Sequence, residues 1–326
     1  MLYRRLTLTF VVAFALPLGV TRADSNTADQ NLAEIHEQIR AEVESLTREK
    51  SEEGKRTDPD RIIAVFDAHL SDYRDPKTWK DLDGDELAEL YRATHDTIFY
   101  THDPSLTQML AALSRGIESR ESSVDPMDEH PFHDNHLQTT YQALIQARLL
   151  DEADSFSEEF DEQVTAAEKK LDRELLEQTR DKEGTTILDI REQDGIPLLK
   201  PRNIDVKQGQ WMIVSSNPGC QFSRHAMEYI EESPELAEAL PENTLWLASQ
   251  RYLAEAQPLA EWSREAQATE LAMTDYDADW PLEFALNVTP RFYFLDEGEI
   301  VHSFPGWQGD YQAEDLMEGI EALSER

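Results

Sequence analysis

The hydrophobic period of this chain changes once, at Gly184, and that change limits the folds open to it. Before Gly184, apolar residues recur at every third or fourth position. Leu32, Ile35, Ile39 and Val43 do so, as do Ile62, Val65, Phe66 and Leu70. The pattern repeats over Leu87 to Ile98, Leu106 to Ile117, Leu137 to Leu149, and Phe156, Phe160 and Val164. One apolar stripe per turn specifies amphipathic helix. Asp58-Pro59, Asp75-Pro76, Asp103-Pro104 and the stretch from Pro126 to Pro131 punctuate the run as helix stops and N-caps. Antiparallel helical hairpins are therefore expected, as an irregular array without a clear repeat. The charged stretch Glu158 to Lys182 reads as a solvated helix leading onward.

After Gly184 the apolar runs become short and compact. Thr186–Ile190, Trp211–Ser215, Thr244–Ala248, Arg291–Leu295 and Glu299–Ser303 read as strands, the last two joined by a turn at Asp296-Glu297-Gly298. Helices are expected over Gln221–Glu231, about Pro258–Thr269 and about Ala313–Leu323. The order is β-α-β-α-β-β-α with a strand pair in front. Two domains follow: an all-α helical-hairpin array over 24–183, and an α/β domain over 184–326 with a central mixed sheet flanked by helices.

The first 23 residues read as a cleaved secretory signal. Arg4 and Arg5 precede the apolar stretch Leu6–Leu18, and Thr21-Arg22-Ala23 ends it. The stretch is short for a membrane span, which needs about 20 apolar residues. The expectation is a soluble periplasmic protein with no stable membrane anchor. Its formal charge is −37, from 30 basic and 67 acidic residues. Cleavage removes Arg4, Arg5 and Arg22 and no acid, so the mature balance is 27 − 67 = −40. Such a charge argues against nucleic acid and anionic membranes. The acids are dispersed along the chain, as on proteins adapted to salty surroundings, where screening makes self-repulsion tolerable. The chain has one cysteine, Cys220, so no internal disulfide forms even in an oxidising compartment.

Three segments carry a family resemblance. Ser216-Asn217-Pro218-Gly219-Cys220-Gln221-Phe222-Ser223 joins a central strand to a helix, Val288-Thr289-Pro290 stands before a strand, and Phe292 to Gly306 forms a closing hairpin. In this order they resemble the thioredoxin-like superfamily, and the segment Thr274–Ala285 is similar to an insertion of its periplasmic TlpA-like branch. The resemblance covers the second half of the chain only. It implies a cysteine active site at Cys220, with Ser223 where the family's second cysteine stands and Gly219 where a tryptophan is usual. It also implies a cis-proline site at Thr289-Pro290 that faces the cysteine and binds substrate. No cofactor is implied.

A cysteine at a helix N-terminus meets unpaired N–H groups and the positive end of the helix dipole, which favour thiolate. Ser223, one turn on, is placed to donate to it, and Arg224 and His225 add nearby positive charge. Without a resolving thiol, a mixed disulfide on Cys220 needs a second molecule for release. The expected function is monothiol exchange with a thiol- or disulfide-bearing protein or a glutathione-like thiol. The alternatives are a redox-inactive binding module and a one-cysteine peroxidase, the latter disfavoured by Asn217, where such a peroxidase has Thr or Ser. The helical half is a possible protein-docking surface.

Other constellations read as structure. His130, His133 and His136 lie among acids but are split by Pro131, so no metal site is assigned. Asp81-Leu82-Asp83-Gly84-Asp85 lacks the bidentate Glu of a calcium loop and reads as a helix N-cap.

Overall fold

A computed structural model of the chain describes residues 31–53, 55–120, 125–127, 135–166, 169–265 and 270–325. The expected signal segment lies outside them. From Leu32 onward the chain forms a single contact unit. No helix among the described residues is long and apolar enough to cross a membrane.

Helices begin where Asp-Pro pairs place them. Asp58 caps α2 (Pro59–Leu70) by accepting from the Asp60 N–H, and Asp103 caps α4 (Pro104–Glu118) by accepting from the Leu106 N–H. Asp75-Pro76 starts only a 3-10 turn, Pro76–Asp81. Asp83 and Glu86 form a reciprocal capping box on α3 (Gly84–Thr101), which is the role of the acidic Asp81–Asp85 segment. With α1 (Leu32–Glu52), these helices close one core around Ile39, Phe66, Leu87, Tyr91 and Leu110.

The next two helices, α5 (His136–Gln146) and α6 (Leu150–Glu159), face elsewhere. Tyr141, Leu144, Ala153 and Phe156 join the core of the sheet. The stretch Glu158 to Lys182 is not one solvated helix. Lys170–Leu171 forms a short strand, β1, and Asp172 caps α7 (Arg173–Arg180), whose Leu176 and Thr179 are buried. Leu171 and Leu176 supply the apolar contacts that outweigh the surrounding charge.

Eight strands make one mixed sheet in the order β1-β3-β2-β6-β5-β4-β7-β8. Beyond β1 they are β2 (Thr185–Gln193), β3 (Ile196–Ile204), β4 (Gln210–Ser216), β5 (Asn243–Ala248), β6 (Glu270–Thr274), β7 (Arg291–Asp296) and β8 (Glu299–Pro305). β4, β5 and β6 run parallel, and β7 pairs antiparallel with both β4 and β8. Alternate residues serve opposite faces. Met212, Val214, Trp246, Phe292 and Phe294 pack on one side, with α8 (Gln221–Glu232), α10 (Ala256–Glu265) and α11 (Asp310–Ser324). Ile213, Leu245, Leu247, Tyr293 and Leu295 pack on the other, against Trp280 and Phe284. A short helix, α9 (Pro234–Ala239), leads into β5.

The reading from sequence contains no counterpart of β6. Its Glu-Leu-Ala-Met-Thr is no strong strand former, and strand preferences span only about 1 kcal/mol. Full burial of a Leu or Met side chain contributes about 1.5–3 kcal/mol. Leu271, Ala272, Met273 and Thr274 are all buried, so packing decides the conformation.

Candidate functional site

Cys220 sits where β4 gives way to α8. Asn217 turns the chain there: its side-chain oxygen accepts from the Gly219 N–H at 2.7 Å and its carbonyl from the Cys220 N–H at 3.0 Å. Pro218 suits the corner because its ring fixes φ near the turn value. Cys220 is the extended N-cap residue of α8, and its carbonyl accepts the first helical bond, from the Arg224 N–H at 3.2 Å.

The second wall is the loop before β7, where the Thr289–Pro290 peptide bond is cis, the form favoured from the sequence. Three bonds fix this loop to the end of β4 and to the residue after β8. The Ser215 hydroxyl donates to the Val288 carbonyl at 2.6 Å and accepts from the Arg291 N–H at 3.2 Å. The Gly306 N–H donates to the Pro290 carbonyl at 2.7 Å. The Cys220 thiol then donates to the Thr289 carbonyl at 3.2 Å. Cys220, Ser223, Thr289 and Pro290 are thus brought together. Ser215, which holds the loop, escaped the sequence reading, and Gly306 was read there only as the glycine that ends the closing hairpin. The only signal was a serine at the inner end of an otherwise apolar strand.

Cys220 is partly exposed. Burial pushes its thiol pKa up, but the Ser223 and Phe222 backbone N–H groups and hydrogen bonding by Thr289 and Ser223 outweigh it, leaving the pKa below the ordinary thiol value. The carbonyl bond pulls the other way, since it exists only while sulfur carries its proton. The hydrogen-bond donors decide the direction because they act on the thiolate itself. Ser223 is fully buried, and apart from this action on the sulfur its Oγ has no hydrogen-bond partner among the described residues, a costly state for a hydroxyl unless a charge forms beside it. The Arg224 Nε donates to the Pro218 carbonyl at 2.8 Å.

Along α8, starting two residues after Cys220, runs a groove of about 480 Å³ lined by Phe222, His225, Glu228, Tyr229, Glu232 and Trp307. Trp307 is 2% exposed and forms the inner wall, packed on Tyr229 and Phe292. Phe222 is 54% exposed at the end nearest the cysteine.

A second cavity, of about 500 Å³, opens between α1 and α3. His36 bridges Glu89 at 3.0 Å and Asp96 at 2.9 Å. Burial pushes the His36 pKa down, and the two carboxylates overcome this and raise it. Arg92 takes the other side of Glu89, and Arg40 pairs with Glu37. These charges neutralise one another and join two helices. Among the described residues no group of His, Cys, Asp and Glu has a metal-holding arrangement. His130 and His133 lie outside the described residues, while His136 is buried with its ring 3.4 Å from Glu118 and 3.2 Å from Asp125.

Compared with known proteins, the chain matches no family model, no curated protein and no solved structure.

Proposed function

We propose that this chain is a thioredoxin-like monothiol exchange protein, exported to the periplasm, with Cys220 as its nucleophile. The supporting observation is a partly exposed thiol at a helix N-cap, pKa lowered, 3.2 Å from the carbonyl that precedes a cis proline. The strand order β5-β4-β7-β8, with α8 after β4, agrees with the resemblance. The export reading rests on the sequence of residues 1–23.

The chemistry needs one thiolate here and one thiol elsewhere. Cys220 loses its proton to solvent, and the N–H groups of Phe222 and Ser223 with the Ser223 hydroxyl hold the negative charge. Its sulfur attacks one sulfur of a client disulfide, and the other leaves as thiolate. The chain has no second cysteine, so a small external thiol must attack the mixed disulfide. That attack restores the Cys220 thiolate and carries the client away, joined to the small thiol.

A second reading, a redox-inactive binding module, is favoured by the S–H bond to Thr289, which stabilises the protonated form. Mass spectrometry after exposure to oxidised glutathione separates the two. The exchange reading expects one glutathione adduct on Cys220, removed by dithiothreitol and not formed by Cys220→Ser. An unmodified Cys220 in the folded protein would support the binding module instead.

A further inference from the structure

The groove along α8, which begins at Phe222, has a chemical character of its own. Phe222, His225, Tyr229 and Glu232, with Glu228, follow helical spacing and lie on one side of α8. The wall opposite is Trp307 to Gly309, before α11. An aromatic floor that begins at Phe222, two residues after the cysteine, is thus edged by two carboxylates one turn apart, about 12 and 18 Å along the helix axis from Cys220. Glu228 and Glu232 are exposed, and among the described residues neither has an ion-pair partner within 4 Å.

We propose that this groove selects the client: an extended peptide segment with an aromatic or large apolar side chain flanked by lysine or arginine, next to its disulfide. The proposal rests on Cys220 being the exchanging thiol. The aromatic side chain covers Phe222 and Tyr229, and the cations meet Glu228 and Glu232. Charge decides the occupant. A second copy of this chain brings −37 of like charge to an acidic rim, whereas a basic segment is attracted.

Three short cysteine peptides test this, each activated as a mixed disulfide with thionitrobenzoate: Cys-Lys-Phe-Lys, Cys-Glu-Phe-Glu and Cys-Lys-Ala-Lys. Attack by Cys220 joins the peptide to the protein and releases the coloured aromatic thiolate, whose appearance gives the rate. At low salt the Lys-Phe-Lys peptide should react about tenfold faster than the acidic one, and the gap should shrink as salt screens the pairs. Glu228→Gln/Glu232→Gln should remove most of that gap. Phe222→Ala should remove the advantage of Phe over Ala. Because the whole molecule is acidic, Glu37→Gln/Glu44→Gln on α1 serves as a charge-matched control and should leave the gap in place. Equal rates for all peptides, or a gap that the α1 pair abolishes equally well, overturn the proposal while leaving the exchange reading intact. No reaction with any peptide, nor with the small neutral reagent dipyridyl disulfide, overturns the exchange reading and this proposal with it. A concentration-dependent dimer abolished by Glu228→Gln/Glu232→Gln would give the groove to a second copy, contrary to the proposal.

Discussion

At the scale of single residues, the site is built from side chains whose positions follow from their neighbours. Cys220 and Ser223 were legible in the sequence because a lone cysteine after Asn-Pro-Gly, at the start of a helix, is a local pattern. Arg224 shows where local reading stops: its charge near the thiol was legible but not its direction, and its Nε donates to the Pro218 carbonyl. Direction is a property of the folded turn, and spacing alone does not carry it. The pairing of Cys220 with Ser223 has a direct consequence. Side chains three apart on a helix share a face, and serine and cysteine differ little in size. Ser223→Cys should therefore close an internal disulfide under mild oxidation. The variant should then reduce protein disulfides with an external reductant, which the natural chain should do poorly. The gain comes from making release of the mixed disulfide an intramolecular step. If mild oxidation leaves two free thiols by mass spectrometry, the two side chains do not face each other and the corner is misassigned.

At the scale of elements, the sequence revealed those that carry their own period or caps. The amphipathic helices and their Asp-Pro starts are of this kind, and so are the apolar runs of β4, β5 and β7. It concealed β6, which is held by strands elsewhere in the chain, and α7, which is tied through Arg180 to Asp275, 95 positions on. β6 lies between β5 and β2, and α7 sits between β1 and the strand pair β2–β3. Helix α11 illustrates how packing overrides propensity. Gly319 lies within it, where glycine costs about 1 kcal/mol relative to alanine. A side chain there would collide with the ring of the fully buried Phe294 on β7. Overpacking of this kind costs about 1–3 kcal/mol. Gly319→Ala should therefore lower the urea midpoint despite its better helix propensity. A raised midpoint would mean that α11 does not rest on Phe294.

At the scale of the whole molecule, the sheet has two covered faces, and one of them is shared with the helical half. Tyr141, Leu144 and Phe156 belong to the same core as Val214, Trp246 and Phe292. A buried charge cluster joins the halves as well. Asp275, after β6, accepts from Arg148 at 3.2 Å and from Arg180 at 2.5 Å, and neither the Arg148 nor the Asp275 side chain is exposed. Such pairs are specific in geometry, since leaving either partner alone in the interior is costly. None of this was visible in the period of the sequence, because the contacts link distant residues, 127 and 95 positions apart in the Arg148 and Arg180 pairs with Asp275. The overall charge of −37 favours the protonated thiol everywhere on this molecule. Hydrogen bonds at contact distance outweigh it at Cys220, because distant charges are screened beyond about 8 Å in physiological salt.

The central claim is that local hydrogen bonding makes Cys220 a reactive thiol, and its rate of alkylation by iodoacetamide across pH tests this most directly. The native protein should react without denaturant. Its rate should rise through an apparent pKa below the free-thiol value of about 8.5, since the groups around the sulfur hold its pKa down. Ser223→Ala should move that midpoint upward. A midpoint at or above the free value, or reaction only after unfolding, would contradict the account.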